Sequence, residues 1–597
     1  MDHSAERASE SGNSKHLVGI DLGTTNSLVA VFLAGQPRLI PNVHGSFLTP
    51  SIVGVLDDGQ VLIGDAAREL RVTKPERCAS TFKRLMGTDE KLKLGSHQFT
   101  APELSSLVLK SLKQDAEAFL KAEVTEAVIT VPAYFNDNQR KATKMAGELA
   151  GLKVRRIVNE PTAAALTYGF HDRGSDKKLI VIDLGGGTFD VTLMEIFEGT
   201  LEIIATAGES FLGGEDFTER LVAWVLNQSG EELELAELKR PLKVSRLRQE
   251  CETAKRALLK EPEAVIRVPG ENGEYAENPT KLTITRKMFA KLAERLMERL
   301  RKPIDKALRD GECDPDDIED VILVGGATRM PVLVDFVRDY FQREPFCRFN
   351  PDEVVALGAA VQSALITDDS AVDDMVMTDV CPFTLGIEIG KDFGRQRLTG
   401  YFAPIITRNT TIPVSREEIF STVFPNQQEV LVRVFQGESR KVEGNLLLGE
   451  LNVSEIPPGP AGTPICVRFT YDLNGILEVE AFPQAGGKRF RTVLTQHVQG
   501  LSPADIEAAI RNLSKLKFYP RDDIRNQKLL LFCERIAGEV NPFQRTEFDE
   551  IIDSFERAMA SGDRDYFERV RTSLLIILSQ LGFEYPENHE STDNQEP

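Results

Sequence analysis

Residues Leu179 to Ile196 read LIVIDLGGGTFDVTLMEI: an apolar run, an aspartate, three glycines and a second alternating apolar run. This order predicts two strands joined by a tight turn. Because glycine has no Cβ, the turn can adopt positive φ angles and approach a ligand closely. Consecutive backbone N–H groups in such a turn form an anion-binding concavity, and Asp183 beside it could hold a hydrated cation that bridges to a phosphate. A metal–nucleotide clamp and an ordinary glycine-rich hairpin are both open at this point.

A second stretch of the same form lies near the N-terminus, where Leu17–Phe32 reads LVGIDLGTTNSLVAVF. Each stretch places an Asp-Leu-Gly turn between two apolar strands. Such a repeat indicates a duplicated α/β unit that holds nucleotide phosphates between its two copies. The second copy therefore favours the clamp.

Seven motifs occur in a fixed order along the chain: IDLGTTNS, VPAYFNDNQRKATKMAG, VNEPTAAALTYG, VIDLGGGTFDVT, LGGEDF, VGGATRMP and NPDEVVALGAAV. With these motifs the chain strongly resembles the seventy-kilodalton heat-shock chaperones (the DnaK-like family), from about residue 17 to 501 and more weakly beyond. The resemblance implies an α/β, two-lobed, actin-like ATPase domain, followed by an antiparallel β-sandwich and a short α-helical lid.

The domain boundaries follow from the motifs and from changes in the hydrophobic pattern along the sequence. Short alternating runs such as VLVRVF and ILEVEAF, with the turn Asn474-Gly475 between strands, indicate an antiparallel β domain. Ser502 and Pro503 form a good helix start. We expect a disordered tail over 1–16, a nucleotide-binding ATPase domain over 17–373, an interdomain linker over 374–380, a β-sandwich peptide-binding domain over 381–499, a helical lid over 500–585 and a disordered tail over 586–597.

Composition excludes several classes of protein. The 597 residues are too many for one hydrophobic core. The net charge of −21 argues against binding to nucleic acid or to an anionic membrane. No apolar run approaches the roughly 18 residues that span a bilayer, and residues 1–16 lack the apolar core of a secretory signal. The seven scattered cysteines have no Cys-x-x-Cys pair, so we expect reduced thiols and a cytoplasmic protein.

The resemblance also implies catalytic and metal-binding residues. Lys83, on a predicted helix carrying TFKRLMG, would orient a water molecule against the γ-phosphate and offset charge in the transition state. Thr188 would help to place that water. Asp21, Asp183 and Glu160 complete the catalytic set. The metal would be held by Asp21 and, through water, by Asp183, with Asp190 as a further candidate ligand.

A larger set is expected to bind the nucleotide. By resemblance, Glu252 reaches the ribose, whereas Lys255, Arg256 and Arg329 flank the adenine. Leu259 stands where the family usually has a serine that bonds the adenine, and Ala327 replaces another serine. The nucleotide-binding residues are Gly23, Thr24, Thr25, Asn26, Gly185, Gly186, Gly187, Gly213, Gly214, Glu252, Lys255, Arg256, Gly325, Gly326, Arg329 and Asp352.

Two further groups rest on the resemblance. Residues that relay the nucleotide state to the linker are Pro132, Arg140, Val376, Met377 and Asp379, with structural packing as the alternative for Pro132. Residues of the peptide-binding pocket and its arch are Ile387, Gly390, Phe420, Val423, Val430 and Val432. Gly390 falls where a methionine is common, and KDFGRQRLTGYF (391–402) is an unusual loop insertion.

These observations favour an ATP-driven chaperone that binds and releases extended apolar segments of unfolded polypeptides. ATP or ADP would bind with Mg²⁺, and K⁺ is an optional further ion. A J-domain co-chaperone is an expected partner and a nucleotide-exchange factor an optional one, without nucleic acid or membrane. The altered arch and short lid suggest a specialised bacterial (HscC-like) branch. Alternatives are an exchange-factor or holdase relative that scarcely hydrolyses ATP, and an actin-like filament protein or small-molecule kinase.

Overall fold

The computed structural model describes residues 16–171, 176–197, 200–346, 348–372, 375–394, 396–472, 475–484, 488–494, 524–537, 540, 544–561, 564–583 and 585. The chain forms two compact units, with described residues up to Pro382 in the first and from Phe383 onward in the second. Met1–Lys15, Asn474, Ser502, Pro503 and the expected C-terminal tail lie outside the described residues. Among those that are described, no helix is both long and apolar enough to cross a membrane.

The first half of the first unit is built on a mixed sheet. Its central strand β1 pairs in parallel with β10 and antiparallel with β2, and β10 pairs in parallel with β11. The elements are β1 (Leu17–Asp21), β2 (Asn26–Leu33), β3 (Gln36–Ile40), β4 (Thr49–Pro50), β5 (Ile52–Val55), β6 (Val61–Ile63), α1 (Asp65–Thr73), β7 (Cys78–Ser80), β8 (Lys91–Leu94), β9 (His97–Thr100), α2 (Ala101–Leu120), β10 (Glu126–Val131), α3 (Asp137–Leu149), β11 (Lys153–Asn159) and α4 (Glu160–His171).

The second half repeats this plan. Strand β12 pairs antiparallel with β13 and in parallel with β17, as β1 does with β2 and β10. The elements are β12 (Lys177–Leu184), β13 (Phe189–Phe197), β14 (Thr200–Glu209), α5 (Gly214–Asn227), α6 (Leu233–Lys239), α7 (Pro241–Ala257), β15 (Glu263–Arg267), β16 (Lys281–Thr285), α8 (Arg286–Asp310), β17 (Asp320–Val324), α9 (Pro331–Phe341), α10 (Val354–Ile366), β18 (Val376–Met377) and β19 (Asp379–Val380). The duplicated α/β unit expected from the two Asp-Leu-Gly stretches is present.

Small residues let helices α4 and α10 pack closely between the two sheets. Ala163 is fully buried, and a Cβ on Gly358 of α10 would overlap its backbone. A Cβ on Gly19 of β1 would likewise overlap the backbone of Ala359. Because protein interiors are close-packed, these contacts leave no room for larger side chains. The two halves of the first unit therefore share one apolar core, which includes residues of both sheets.

The second unit contains two four-stranded sheets, in the orders β21-β20-β24-β25 and β23-β26-β27-β28, with antiparallel neighbours. Three helices with their own apolar core follow the strands. The elements are β20 (Leu385–Phe393), β21 (Gln396–Ile406), β22 (Thr411–Ile412), β23 (Val414–Ser421), β24 (Val430–Gln436), β25 (Leu446–Val453), β26 (Pro464–Tyr471), β27 (Leu477–Pro483), β28 (Phe490–Leu494), α11 (Ile524–Ile536), α12 (Arg545–Ser561) and α13 (Arg564–Gln580).

One local prediction is confirmed only in part, and another is wrong. The segment with Lys83 forms only a short 3₁₀ helix, Phe82–Leu85, after Thr81 in the left-handed region. The insertion expected as a loop is mostly strand: Lys391 pairs with Leu398 and Asp392 with Arg397, so β20 and β21 continue as a hairpin. Glycines and charged residues interrupt the alternating apolar pattern of this segment, so the sequence does not predict a strand. The strands form nevertheless because their pairing depends on backbone hydrogen bonds.

Candidate active site

The two Asp-Leu-Gly turns border one cleft in the first unit. Asp21 ends β1, and Asp183 lies near the end of β12, at the carboxyl ends of the central strands. Predicted site residues that line the cleft are Asp21, Gly23, Thr24, Thr25, Asn26, Lys83, Glu160, Asp183, Gly185, Gly186, Thr188, Gly214, Glu252, Lys255, Arg256, Gly325, Gly326, Arg329 and Asp352. The structure thus brings residues of six of the seven motifs together with Lys83 and with the segment that carries Glu252, Lys255 and Arg256.

The glycine triplet is required for a reason other than the expected one. None of Gly185, Gly186 and Gly187 has a positive φ. Instead, a Cβ on Gly186 would overlap the Oγ1 atom of Thr25, and one on Gly187 would lie 2.7 Å from the Cγ2 atom of Thr24. The second turn therefore lies directly against the side chains of the first. The left-handed backbone that glycine permits is not adopted here, whereas the close approach that glycine permits is present.

A buried ion pair lies at the floor of the cleft. The Nζ atom of Lys83 donates to the Oε1 atom of Glu160 at 2.5 Å, and the two residues are 3% and 8% exposed. The Lys83 ammonium also lies 5.7 Å from the centre of the Phe135 ring. Glu160 begins α4, where the positive end of the helix favours a carboxylate. Lys83 is therefore held in one place.

Carboxyl groups outnumber the cations around this pair. Burial, followed by repulsion from Glu160, raises the pKa of Asp21 to about 7. The same two causes raise the pKa of Asp190 to about 7 and that of Asp183 well above its ordinary value. Lys83 opposes all three shifts but does not cancel them. The site thus has an excess of negative charge that a cation would neutralise.

The donor set fits a hard cation held mainly by water and phosphate. Carboxylate oxygens are the ligands that Mg²⁺ prefers, and Mg²⁺ usually keeps several of its waters. Within the described part of the chain, no three His, Cys, Asp or Glu side chains are grouped closely enough to hold an ion by themselves. The residues present therefore suit the water-mediated binding expected for Asp183.

At the far end of the cleft, charged side chains are already paired with one another. Lys255, 8% exposed, donates to the carbonyl of Gly214 at 2.8 Å and pairs with Glu252 at 2.6 Å. Burial alone would raise the pKa of Glu252, but Lys255 and other partners lower it to about 2. Arg329 pairs with Asp352 at 2.7 Å. Leu259 and Ala327 line this end as well, so both departures from the family serines lie in the cleft.

Three predicted residues are not part of the cleft lining, and two other residues of this region were not predicted from the sequence. Gly187, Gly213 and Asp190 do not line the cleft. Glu215, in the first turn of α5, does line it, and Arg84 donates to the carbonyl of Gly187 at 3.1 Å. Glu215 directly follows Gly214, and Arg84 directly follows Lys83. Their position beside predicted residues is the sequence feature that could have identified them.

A polar chain runs from the turn after β10 to the segment predicted as the linker. Pro132 begins that turn, and its carbonyl accepts from the N–H of Phe135 at 3.1 Å. Arg140 donates to the side chain of Asn159 at 2.6 Å, and Asn159 donates to the Asp379 carboxylate at 3.1 Å. Burial raises the pKa of Asp379. Asn159 directly precedes Glu160, so Asp379 is tied to the residue next to the buried ion pair.

In the second unit, the predicted pocket residues are divided between the two sheets. Ile387 pairs with Val434, so Ile387, Val430 and Val432 share one face of their sheet because side chains alternate along a strand. Phe420 lies on β23 of the other sheet, and Val423 follows that strand. Gly390 lies in the hairpin, where a Cβ would meet the Arg397 guanidinium at 2.6 Å. Val376 and Met377 form the short strand β18, which pairs with β14.

Comparison with known proteins gives one consistent result. The family model for Hsp70 proteins matches residues 17–529. The chaperone protein DnaK of Thermotoga neapolitana is 44% identical over 517 residues, which cover 85% of this chain and 84% of that protein. The chaperone protein DnaK of Thermosipho melanesiensis is 42% identical over 526 residues, which cover 87% and 86%. That of Thermosipho africanus is 42% identical over 525 residues, with the same coverage.

Proposed function

The chain belongs to the Hsp70 family, and we propose that the cleft of its first unit hydrolyses magnesium-bound ATP between the two Asp-Leu-Gly turns. The chain is an ATPase and an ATP-dependent molecular chaperone that binds and releases extended apolar segments of unfolded proteins. We take its first unit as an actin-like two-lobed ATPase domain, followed by a β-sandwich peptide domain and a helical lid.

The buried Lys83–Glu160 ion pair beside Asp21 and Asp183 carries the proposal. A lysine with this burial and a 2.5 Å partner is fixed in position rather than solvated. Taking both charges out of water is expensive, so such a pair persists where function requires it or where further groups satisfy it. Its place among carboxylates with raised pKa values makes the floor of the cleft the best candidate for chemistry.

Each residue has a distinct task in the hydrolysis. Thr24 and Thr25 offer hydroxyls to phosphate oxygens, and the glycine turn offers backbone N–H groups to the same phosphates. Lys83 orients the attacking water and stabilises charge on the γ-phosphate as its bond to the leaving oxygen breaks. Glu160 holds that ammonium in place, and Thr188 helps to position the water. Phosphoryl transfer asks little more of a protein than positioning and charge stabilisation.

Asp21 and Asp183 would hold Mg²⁺ through its waters, with Asp190 behind Asp183 on the neighbouring strand. When it is bound, the ion neutralises negative charge on the phosphate oxygens. K⁺ is a further candidate for the same electronegative cleft. These carboxylates, with their raised pKa values, would become fully ionised when a cation occupies the site.

We propose that the hydrogen-bonded chain Arg140–Asn159–Asp379 reports the nucleotide state to the linker. Asn159 contacts the linker aspartate, and its neighbour Glu160 contacts Lys83. A change at the γ-phosphate that moves Glu160 would therefore act on Asp379 through one residue. Coupling of this kind is reciprocal, so a bound client must alter nucleotide handling.

The partners and setting follow from the family. Clients are unfolded or extended polypeptides, with Ile387, Phe420, Val430 and Val432 as the apolar pocket. We further propose a J-domain co-chaperone, a nucleotide-exchange factor and a cytoplasmic location. A specialised, HscC-like role rests on the unusual hairpin beside Gly390. Refolding of an unrelated denatured enzyme at the rate of a general chaperone would remove that last proposal.

Replacement of Lys83 tests the catalytic assignment. Lys83→Ala should bind ATP within about threefold of the native protein but lose at least roughly a hundredfold in single-turnover hydrolysis, because one preorganised charge is worth about 10²–10³ in rate. Lys83→Met combined with Glu160→Gln removes both charges and avoids an unpaired buried carboxylate. Lys91→Ala, at an exposed lysine of the same half, is the control. Retained turnover in both variants would exclude Lys83 from the mechanism.

Addition of peptide separates the functional classes. Single-turnover hydrolysis should rise several-fold when an extended apolar peptide is added, since coupling free energies are typically about 1–3 kcal/mol. ATP binding without hydrolysis would instead indicate a holdase. Phosphate transfer to a small molecule would indicate a kinase.

A further inference from the structure

The hairpin formed by β20 and β21 extends past the rest of its sheet. The two strands pair from Leu385 to Phe393, but β20 pairs with β24 only from Leu385 to Ile387. Beyond Ile387 the hairpin therefore carries a surface that the neighbouring strand does not cover. The family resemblance gave no role to this insertion.

A buried tyrosine in this hairpin is surrounded by cations. Tyr401 is 5% exposed. The Lys441 ammonium lies 3.3 Å from the centre of its ring, that of Lys391 lies 5.4 Å away, and the Arg440 guanidinium 5.6 Å away. Burial raises the pKa of Tyr401, but Lys441 and Arg440 outweigh burial and lower it. The electron-rich ring face attracts such groups, yet a ring cannot neutralise three charges.

Three acidic side chains near the hairpin are committed to other cations, whereas Glu443, two residues after Lys441, is exposed and in no ion pair among the described residues. Glu388 pairs with Arg433 at 2.7 Å, and Asp392 pairs with Arg397 at 3.2 Å. Glu438, next to this region in sequence, pairs with Arg408 at 2.9 Å. No ion pair within the described residues involves Lys391, Arg440 or Lys441, and all three are exposed. A chain with a net charge of −21 thus places three cations at one point, where Glu443 is the only one of these four carboxylates without an ion pair among the described residues.

This point adjoins the proposed peptide pocket. Ile389 pairs with Tyr401, and Ile387 pairs with Ala403. Paired residues of antiparallel strands lie on the same face, and that face recurs at every second residue. Tyr401 therefore shares the face of Ile387. Lys391 lies four residues further along β20, which corresponds to about 13 Å of strand.

We propose that Lys391, Arg440 and Lys441 around Tyr401 bind carboxylate side chains of the client, next to the apolar segment that occupies the pocket of Ile387. This cationic patch would select extended segments in which acidic residues flank the apolar core. The inference depends on the proposed peptide-binding function and adds a charge preference to it. The occupant is an acidic stretch of an extended polypeptide because charge complementarity and proximity to Ile387 both point to it.

Matched fluorescent peptides test the patch. Each peptide has the same seven-residue Leu- and Ile-rich core. The core is flanked at each of its two ends by three Asp, three Asn or three Lys residues. With the full-length protein in ADP and 50 mM salt, we expect the Asp peptide to bind about tenfold tighter than the Asn peptide, as up to three exposed ion pairs would give. The Lys peptide should bind most weakly. The preference should shrink in 0.5 M salt because exposed charges are screened.

Variants identify the residues responsible. Arg440→Gln combined with Lys441→Gln should abolish the preference for Asp over Asn and leave binding of the Asn peptide within about twofold. Lys488→Gln, at an exposed lysine of the same unit, should keep the preference. Equal binding of the Asp and Asn peptides to the native protein, or a preference that survives the double variant, would overturn the proposal. If no peptide of any charge binds, the peptide-binding function itself fails instead.

Discussion

The two Asp-Leu-Gly turns begin alike and then diverge in complementary ways. After the shared tripeptide, the first turn continues with Thr24 and Thr25, and the second continues with glycines. The side chains of the first occupy the space that the second leaves empty, since a Cβ on Gly186 would overlap Thr25. The duplicated unit supplies two similar strands with carboxylates at their ends. Divergence of the two turns then allows them to lie against each other and form one site.

The strands behind the turns differ as well. Asp21 lies opposite Leu28 on its partner strand, whereas Asp183 lies opposite Asp190. The second copy thus carries an additional buried carboxylate, which accepts from the N–H of Tyr134 at 3.0 Å. Negative charge is concentrated on the second turn, and hydroxyl groups are concentrated on the first. This asymmetry suits a ligand with a cation on one side of its phosphates.

Gly186→Ala should break the fit between the turns and have the largest effect. The new Cβ would displace Thr25, and overpacking costs about 1–3 kcal/mol. A displacement of about 1 Å at a catalytic site can lower the rate roughly a hundredfold, so we expect at least that loss in single-turnover hydrolysis. The thermal midpoint of the nucleotide-free protein should fall as well.

Gly185→Ala is the matched variant for stability. Its Cβ would meet nothing closer than the Thr188 carbonyl at 3.9 Å, so its nucleotide-free thermal midpoint should stay near that of the native protein. Adding Thr25→Ala to Gly186→Ala removes the overlapping Oγ1 atom and should recover part of the lost stability. If Gly186→Ala and Gly185→Ala lower the midpoint equally, the two turns do not depend on mutual contact.

Asp190→Asn removes the carboxylate that only the second copy has. The raised pKa of Asp190, about 7 against 3.8, means that the folded protein binds a proton that the unfolded chain lacks in this range. Stability of the nucleotide-free protein should therefore fall as pH rises toward 7, and Asn should not contribute to this fall. From pH 5 to pH 8 the variant should gain about 2–3 kcal/mol relative to the native protein.

Denaturant unfolding at the two pH values measures this difference. Asp335→Asn, at an exposed carboxylate, serves as the control and should show no such gain. A parallel pH dependence in the Asp190 variant and the native protein would mean that this carboxyl is ionised in both states. Ionisation of Asp190 would then not destabilise the nucleotide-free protein, and a bound cation would have no such destabilisation to relieve.

The sequence predicts the strands and turns well because their signals are local. Apolar runs that lead into Asp-Leu-Gly determine β1 and β12, and the apolar runs that follow the two turns determine β2 and β13. Asn136 caps α3 by accepting from the N–H of Gln139 at 3.0 Å. The β20–β21 hairpin was not predicted because charged residues and Gly394 interrupt its alternation. Strand pairing there is a property of two backbones, which single-residue preferences describe poorly.

The cleft could be assembled from the sequence only by resemblance. Asp21, Lys83, Glu160 and Asp183 come from separate motifs, and nothing in their spacing predicts a buried ion pair. Glu215 was missed because an acidic residue in the first turn of a helix is ordinary. From the sequence alone, the glycine triplet permits either positive φ angles or a close approach to a ligand. The actual reason lies in the contact with Thr25, which is distant in sequence.

Arg84→Met should separate the turns without altering either. Arg84 donates to the carbonyl of Gly187 and pairs with Asp216 at 2.5 Å, so it ties the first half of the unit to the second turn. Its loss should weaken ATP binding about tenfold, the value of a charged hydrogen bond that is partly buried. Arg68→Met, at an exposed intrahelical pair, is the control. Unchanged ATP affinity by calorimetry would show that the turns need no such tie.

The smallest effect should come from Thr25, and it distinguishes shape from hydrogen bonding. The Oγ1 atom of Thr25 lies 3.5 Å from Glu215, a distance at which a hydrogen bond contributes little. Thr25→Val keeps the shape that faces Gly186, so the free energy of unfolding without nucleotide should change by less than about 0.5 kcal/mol. ATP affinity should nevertheless fall about fivefold, because one hydrogen bond from a hydroxyl to a phosphate oxygen is lost.

Thr25→Ser is the control: it keeps that hydroxyl and should bind ATP within about twofold of the native protein. If the valine variant binds ATP as well as the serine variant does, the first turn contributes only its shape, and the anion must be held by the backbone of the second.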